Sequence, residues 1–378
     1  MPFRCLVNPS SGTPGIVVLP AGGYRRAKAE ITRWPGYART PLRPLAALAQ
    51  AAGVGAVLLK DEADRFGLGS FKALGGAYAV ADVLLAELAR RGVAPSAGTG
   101  DLLARRYSTG DITVACATDG NHGRSVAWGA QRFGARCCIF VHETVSQSRV
   151  GAIARYGAEI RRVPGTYDDA VRAAAAEAEL QGWLIVSDTS WPGYTEVPRL
   201  IMQGYRLMAD EALDQWQGRP PTHVFVQAGV GGAAAAVSVQ MRARLSPPPA
   251  LVVVEPDRAA CLLASAEAGK PAAVKGELDT IMAGLACGEP SLLAWQELER
   301  AATAYLAIDD AEAIAAMRLL AQLGVVSGES GAAGLAGLLA AARDQSARSA
   351  LGLGADSRVL LFSTEGATDP ELYARLVA

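Results

Sequence analysis

The chain has 378 residues, of which 51% are hydrophobic and 19% charged, and its formal net charge is -1 at pH 7. This composition is typical of a globular protein with one large or two smaller domains. The balanced charge argues against nucleic-acid or anionic-membrane partners, and we expect neither a transmembrane span nor a signal peptide.

Segments that favour strands alternate with segments that favour helices over most of the chain. In chain order the predicted elements are strand 111–117, helix 121–134, strand 136–141, helix 146–157, strand 158–164, helix 167–182, strand 183–188, strand 221–229, helix 231–245, strand 250–256 and strand 357–366. This order predicts an α/β fold in which helices cover both faces of parallel sheets. Residues 91–111 are rich in Gly, Ser and Pro and are predicted as a loop, and residues 245–250 and 346–357 are predicted as surface connections.

The spacing of the six cysteines matches no zinc site, and we predict no metal centre. Three of them lie in predicted strands and are interpreted as small core side chains: Cys116, Cys137 and Cys138. Cys261 and Cys287 flank one segment and could meet in the fold. We expect a cytoplasmic location, and that reducing compartment argues against a stable disulfide between them.

One lysine stands at an unusual place in the stretch GLGSFKALGGAYAV, residues 67–80. Lys72 precedes a run of small residues that favours a helix. A cation is unfavourable at a helix N-terminus, because the helix dipole is positive there. The lysine therefore either extends into solvent or is held at this position for a chemical purpose.

Two loops that follow predicted strands could hold a ligand. Residues 225–237, FVQAGVGGAAAAV, form a strand, a glycine cluster and a helix start, which is typical of a phosphate site and equally of a tight turn built for packing. Residues 117–130 place Asp119, Asn121 and His122 at a strand end, where α/β sheets bind ligands. Helix capping alone would also explain the aspartate and the asparagine.

The last predicted strand ends with two hydroxyl groups, Ser363 and Thr364, and either of them could simply cap the next turn. Together with the lysine, the glycine cluster and the asparagine, they describe a site for pyridoxal phosphate. A buried or electropositive setting lowers the pKa of a lysine and frees its amine to form an imine with an aldehyde. We therefore expect Lys72 to be a neutral amine close to a bound phosphate.

The motifs resemble those of the fold type II pyridoxal phosphate enzymes, the group of threonine dehydratase and tryptophan synthase β. The SFKALGGA, GNHG and GVGG elements occur in that group's order and spacing. Within the group the chain specifically resembles the diaminopropionate ammonia-lyase family. The segments that carry this resemblance are KDEADRFGLGSFKALGGAYA, ATDGNHGRSVAW, IMQGY, TIMAGLACGEPS, SGESGA and STEGATD.

The resemblance implies two open, mostly parallel sheets flanked by helices, with the cofactor between two domains. The large domain is expected to comprise residues 1–92 and 189–378, and the small domain residues 93–188. The residues expected to bind the cofactor are Phe71, Lys72, Asn121, Gly229, Val230, Gly231, Gly232, Ser363 and Thr364, with one of the last two at the pyridine nitrogen. A homodimer is also implied.

The reaction implied by the resemblance is the elimination of both enantiomers of 2,3-diaminopropionate to pyruvate and two ammonia. Lys72 and Asp119 would flank Cα as bases on opposite sides, and Asp188 would hold the side-chain ammonium. Capping stays an alternative role for both aspartates. Two other functions stay open: a serine/threonine dehydratase or β-substitution enzyme of the same fold, and a non-catalytic relative that binds an amino acid.

Overall fold

The computed structural model describes residues 3–118 and 120–378 of the chain. In this part the strands are β1 Phe3–Val7, β2 Leu42–Pro44, β3 Ala56–Asp61, β4 Thr113–Thr118, β5 Arg136–His142, β6 Glu159–Val163, β7 Leu184–Ile185, β8 His223–Gln227, β9 Ala250–Pro256, β10 Ala304–Ile308 and β11 Arg358–Ser363. The α-helices are α1 Ala21–Ile31, α2 Ala46–Ala52, α3 Gly76–Arg90, α4 Thr99–Leu103, α5 Asn121–Phe133, α6 Gln147–Ala154, α7 Tyr167–Gln181, α8 Glu196–Gln215, α9 Gly232–Arg244, α10 Cys261–Ala268, α11 Leu292–Ala301, α12 Asp310–Gln322, α13 Ala333–Arg343, α14 Gln345–Ala350 and α15 Pro370–Val377. Short 3-10 helices lie at Arg65–Gly67, Phe71–Leu74, Asp257–Ala259 and Ala283–Leu285.

The chain divides into two compact units. Unit 1 contains residues 3–20, Ala38–Phe71 and Tyr205–Ala378, and unit 2 contains Ala21–Tyr37 and Lys72–Gly204. The predicted small domain, residues 93–188, lies inside unit 2, which additionally contains α1 and α3. The helix α3 belongs to this unit because it packs closely on α5, where a Cβ at Gly129 would lie 2.9 Å from the Cα of Ala77.

Unit 1 is built on a seven-stranded sheet in the order β1-β10-β9-β8-β11-β3-β2. The five inner strands are parallel, and the two edge strands are antiparallel to their neighbours. Leu360 of β11 lies opposite Val224 of β8, so the carboxyl ends of these two strands meet at one edge of the sheet. Apolar side chains such as Phe225 and Leu361 pack with Leu335 of α13 in the core of this unit.

Unit 2 has a four-stranded, wholly parallel sheet in the order β6-β5-β4-β7. Ala115, Phe140 and Ala174 lie in its core, where α7 covers one face. The strand β7 has two residues instead of the six predicted. The N–H of Val186 still bonds to the carbonyl of Ala115 in β4 at 2.8 Å, but the carbonyl of Val186 accepts from the side chain of His122 instead of a strand.

The predicted α/β architecture of mostly parallel sheets is confirmed, and so are the main predicted strands and helices. Two predicted connections nevertheless include helical residues: α4 lies within residues 91–111, and α14 begins at Gln345 and continues into residues 346–357. Side-chain caps stabilise both: Asp101 accepts the N–H of Gly98 at 2.9 Å, and Asp344 accepts the N–H of Ala347 at 2.7 Å. Among the helices of the described residues, none has the length and the apolar character that a bilayer span requires.

Candidate active site

Lys72 is the first residue of the second segment of unit 2 and lies in the 3-10 turn that precedes α3. Its amine donates a hydrogen bond to Oδ2 of Asp188 at 2.5 Å. Burial alone would raise the pKa of Asp188, but the charge and the hydrogen bond of Lys72 hold it well below its usual range. The structure therefore pairs the amine of Lys72 with a buried carboxylate, and the neutral amine expected from the sequence stays a prediction.

Two further side chains of unit 2 surround Asp188. Nδ1 of His122 lies 3.7 Å from Asp188 Oδ2, and the hydroxyl of Tyr167 donates to Asp188 Oδ1 at 3.4 Å. The Nε2 atom of His122 is 2.7 Å from the carbonyl oxygen of Val186, which can only accept, so Nε2 carries the hydrogen. Burial lowers the pKa of His122, which keeps this ring neutral. Sequence reasoning assigned no role to either residue, although His122 lies in the GNHG motif.

The turn between β4 and α5 is fastened by Thr118, whose hydroxyl accepts the N–H of Gly123 at 3.0 Å. Only glycine fits at position 123, because a Cβ there would lie 2.3 Å from Thr118 Cγ2. Asn121 is the first residue of α5, and its Oδ1 accepts a hydrogen bond from Nη2 of Arg124 at 2.6 Å. Asp119, the predicted second base, lies outside the described residues.

The glycine loop of unit 1 joins β8 to α9. Gly231 has φ 98° and is the N-cap of α9. The first bond within the helix runs from the N–H of Ala235 to the carbonyl of Gly231 at 2.9 Å, which leaves the N–H groups of residues 232–234 without a helical acceptor. The loop is also closely packed, since a Cβ at Gly229 would lie 3.0 Å from Cys287 Sγ. Such a backbone at the start of a long helix fits a phosphate group.

Both cysteines whose pairing the sequence left open lie beside this loop. The thiol of Cys261 donates to the carbonyl of Gly229 at 3.7 Å, and Cys287 packs against the same glycine. The structure contains no disulfide between these two described cysteines.

The hydroxyl groups at the end of β11 have different partners within unit 1. Ser363 Oγ lies 2.8 Å from Ser327 Oγ, and Thr364 Oγ1 accepts a hydrogen bond from Nε2 of Gln227 at 2.7 Å. Phe71, the residue before the lysine, donates its N–H to the carbonyl of Thr364 at 3.1 Å. Sequence reasoning missed Gln227, and the available signal was a polar residue at the end of the apolar strand HVFVQ.

These groups match the chemistry of pyridoxal phosphate, which presents a phosphate, an aldehyde and a pyridine nitrogen. Unit 1 contains the backbone N–H groups of the glycine loop and the two hydroxyl groups at the end of β11. Unit 2 contains the amine of Lys72 and the amide of Asn121. Taken one by one, these predicted residues carry groups that fit the cofactor chemically.

Comparisons with known proteins agree with this chemistry. A family model described as "Pyridoxal-phosphate dependent enzyme" matches residues 33–364. The diaminopropionate ammonia-lyase of Escherichia coli (strain K12) is 43% identical over 355 residues, which cover 90% of this chain and 88% of the relative. The crystal structure of selenomethionine-incorporated holo diaminopropionate ammonia lyase from Escherichia coli superposes with a TM-score of 0.91 at 38% identity, covering 99% of this chain and 96% of that one. A structure of the Escherichia coli protein in complex with D-serine gives a TM-score of 0.90 at 37% identity, with coverages of 99% and 96%. The resemblance predicted from the motifs is confirmed.

Proposed function

The chain belongs to the pyridoxal-phosphate dependent enzymes and, within them, to the diaminopropionate ammonia-lyase family, and from this premise we propose that it eliminates ammonia from 2,3-diaminopropionate. One water is consumed, and pyruvate and two ammonia are the products. The observation that carries the proposal is the Lys72–Asp188 pair, in which an amine able to bond the cofactor lies beside a carboxylate able to bind an ammonium.

Pyridoxal phosphate, when bound, supplies an aldehyde that condenses with amines and a conjugated ring that accepts the electron pair left at Cα. The N–H groups of the glycine loop 229–232 would hold its phosphate, and Asn121 its ring oxygen. Phe71 would lie beside the ring, and Ser363 or Thr364 would bind the pyridine nitrogen. A hydroxyl at that nitrogen, unlike a carboxylate, does not require the nitrogen to be protonated.

The two bases are proposed to serve the two enantiomers. Nζ of Lys72 takes the Cα proton of one enantiomer, and the carboxylate of Asp119 takes that of the other. The role of Asp119 is supported by its place in the ATDGNHG motif. A D-configured substrate is supported by the Escherichia coli relative, whose structure was determined in complex with D-serine.

Asp188 is proposed to bind the side-chain ammonium of the substrate. Support comes from its contact in the structure, where it pairs with the amine of Lys72 at 2.5 Å. With the Lys72 amine engaged by the aldehyde of a bound cofactor, the carboxylate would be able to receive the ammonium of the substrate instead. By keeping that nitrogen protonated, Asp188 lets it leave as ammonia when the Cβ–N bond breaks.

Assembly as a homodimer and a cytoplasmic location complete the proposal. The homodimer is supported by the family resemblance, and sedimentation of the purified protein tests it. The location is supported by the six cysteines, all within the described residues, since none of them forms a disulfide, as expected in a reducing compartment.

An assay of purified protein reconstituted with pyridoxal phosphate tests the function. We expect two ammonia per pyruvate from both enantiomers of 2,3-diaminopropionate, and slower release from serine. Lys72→Ala should abolish both products, whereas Lys270→Ala, at an exposed lysine, should not change them. Faster turnover of serine or threonine would instead favour a dehydratase, and no turnover by the reconstituted protein would refute the proposal.

A further inference from the structure

The structure distinguishes the two hydroxyl groups that the sequence treats as equivalent. Ser363 is fully buried, and its Oγ lies 2.8 Å from Ser327 Oγ and 3.4 Å from the carbonyl of Glu365, so protein groups already satisfy its hydroxyl. Thr364 Oγ1 acts as an acceptor, from Gln227 Nε2 at 2.7 Å. Among the described residues its own hydroxyl hydrogen has no further acceptor, and it is therefore available to a ligand.

The orientation of the Gln227 amide is set by two carbonyl groups. Its Nε2 lies 2.9 Å from the carbonyl oxygen of Phe362 and 3.2 Å from that of Gly331. Carbonyl oxygens can only accept, so the NH₂ group, and not the amide oxygen, must face them and the neighbouring Thr364. Gln227 is 2% exposed, and water does not compete for these bonds. The two amide hydrogens are shared among these three acceptors, and Thr364 Oγ1 is the nearest of them at 2.7 Å. Because an amide nitrogen cannot accept, the Thr364 hydroxyl accepts from Gln227 and directs its own hydrogen elsewhere.

We propose that Gln227 is a positioning residue that directs the Thr364 hydroxyl hydrogen toward the pyridine nitrogen of the bound cofactor. A neutral pyridine nitrogen can accept the hydrogen bond of the Thr364 hydroxyl. A protonated nitrogen is itself a donor, so its N–H would face the O–H of Thr364 and no hydrogen bond would form. Gln227 thereby favours the unprotonated ring, and Thr364, not Ser363, is the residue that bonds it. The inference rests on the cofactor binding described under the proposed function and adds the residue that sets the protonation state of the ring.

A double-mutant cycle of Gln227→Met and Thr364→Val tests this inference in the reconstituted protein. The first readout is the NMR shift of the isotopically labelled pyridine nitrogen, which distinguishes the protonated from the neutral ring. We expect a neutral nitrogen in the wild type and a shift toward the protonated form in each single variant.

The second readout is the Kd of the cofactor-free protein for pyridoxal phosphate, which should rise roughly fivefold for Gln227→Met, because one buried hydrogen bond is lost. In the Thr364→Val background the same change should raise the Kd less than about twofold, because the two residues act as one unit.

Matched variants separate positioning from packing. Thr364→Ser keeps the hydroxyl and should keep the wild-type nitrogen shift, and Ser363→Ala should keep it too. The inference is overturned if Gln227→Met leaves the shift unchanged, if the two substitutions add in full, or if Ser363→Ala moves the shift while Thr364→Val does not. Should Gln227→Met fail to fold, as judged by circular dichroism, the comparison of Thr364→Val with Thr364→Ser decides alone. A wild-type protein that does not bind pyridoxal phosphate would refute the proposed function itself.

Discussion

Asp188 is a buried carboxylate of unit 2 that has three polar side chains around it. It accepts hydrogen bonds from Lys72 and Tyr167 and lies beside the neutral ring of His122. Burial penalises its charge, and the ion pair with Lys72 offsets part of that penalty. The β-ammonium proposed for the substrate would offset it in the same way.

Asp188→Asn should lower kcat/KM for 2,3-diaminopropionate by about 100-fold, because a buried charge loses its partner. Serine carries a hydroxyl in place of the β-ammonium, so its kcat/KM should fall by less than about tenfold. Steady-state assays of both substrates with one preparation of the variant give the ratio. Equal losses for the two substrates would show that Asp188 acts on Lys72 or at Cα, and not on the leaving nitrogen.

At the scale of elements, the start of α9 depends on glycine for two reasons. Gly231 has φ 98°, a conformation that L side chains rarely adopt, and a Cβ there would lie 3.0 Å from the Cβ of Ala294. The same residue directs the first N–H groups of the helix. A substitution of Gly231 should therefore affect both the backbone conformation of the loop and the proposed binding of the phosphate.

Gly231→Ala should destabilise the protein by about 1–2 kcal/mol through strain in the left-handed region. It should also weaken the binding of pyridoxal phosphate, because the N–H groups at the helix start are displaced. Gly352→Ala is the matched control, since Gly352 has φ 66° and open space around its Cα. Thermal unfolding and cofactor titration measure the two effects. A loss of cofactor affinity as large in Gly352→Ala would contradict a specific role for the loop.

The carboxyl end of α3 provides a pH-dependent prediction. Hydrogen bonds from Arg90 and Arg91 lower the pKa of Glu87 from 4.5 to about 2. A carboxylate whose pKa is lower in the folded state stabilises the fold above the unfolded-state pKa, and this contribution is lost as the pH falls from 4.5 to about 2. Glu87→Gln should therefore cost up to about 1 kcal/mol at neutral pH and nearly nothing at the acid end.

Urea denaturation of wild type and Glu87→Gln across this pH range checks the prediction. The exposed Glu179 of α7 serves as control, and Glu179→Gln should follow the wild type at every pH. A constant difference between wild type and Glu87→Gln over the whole range would assign the effect to packing and not to charge.

At the scale of the whole molecule, the sequence predicts those structural features that depend on short segments of the chain. Short segments predict the alternating strands and helices, the loop before α9, the helix start at Asn121 and the strand end at Ser363. The short helices α4 and α14 were missed because single side-chain caps hold them. The bond between Gln227 and Thr364 joins residues 137 positions apart, and only the order of strands in the sheet brings β8 beside β11. Contacts of this kind cannot be derived from local periodicity.

A network of four buried charges in unit 1 is another long-range feature. Arg65 donates to Glu62 and Glu211 at 2.8 Å each, and Lys60 donates to Glu211 at 2.8 Å. None of the four side chains is more than 2% exposed. Burial lowers the pKa of Lys60, which the two glutamates only partly oppose. The two positive and two negative charges balance, so removing one of them leaves a buried charge uncompensated.

Lys60→Met and Glu211→Gln should each destabilise the protein by about 3–5 kcal/mol, because each unbalances the network. The double variant restores the balance, since Arg65 and Glu62 remain paired, and it should be more stable than the sum of the single effects predicts by about 1–3 kcal/mol. The matched control is the exposed pair of Arg4 and Glu267, with side chains 44% and 48% exposed, where Arg4→Met should cost less than about 1 kcal/mol. Denaturant unfolding of the cofactor-free protein measures all four variants. If the buried substitutions cost no more than the exposed one, or if their effects add, the network does not act as a balanced unit.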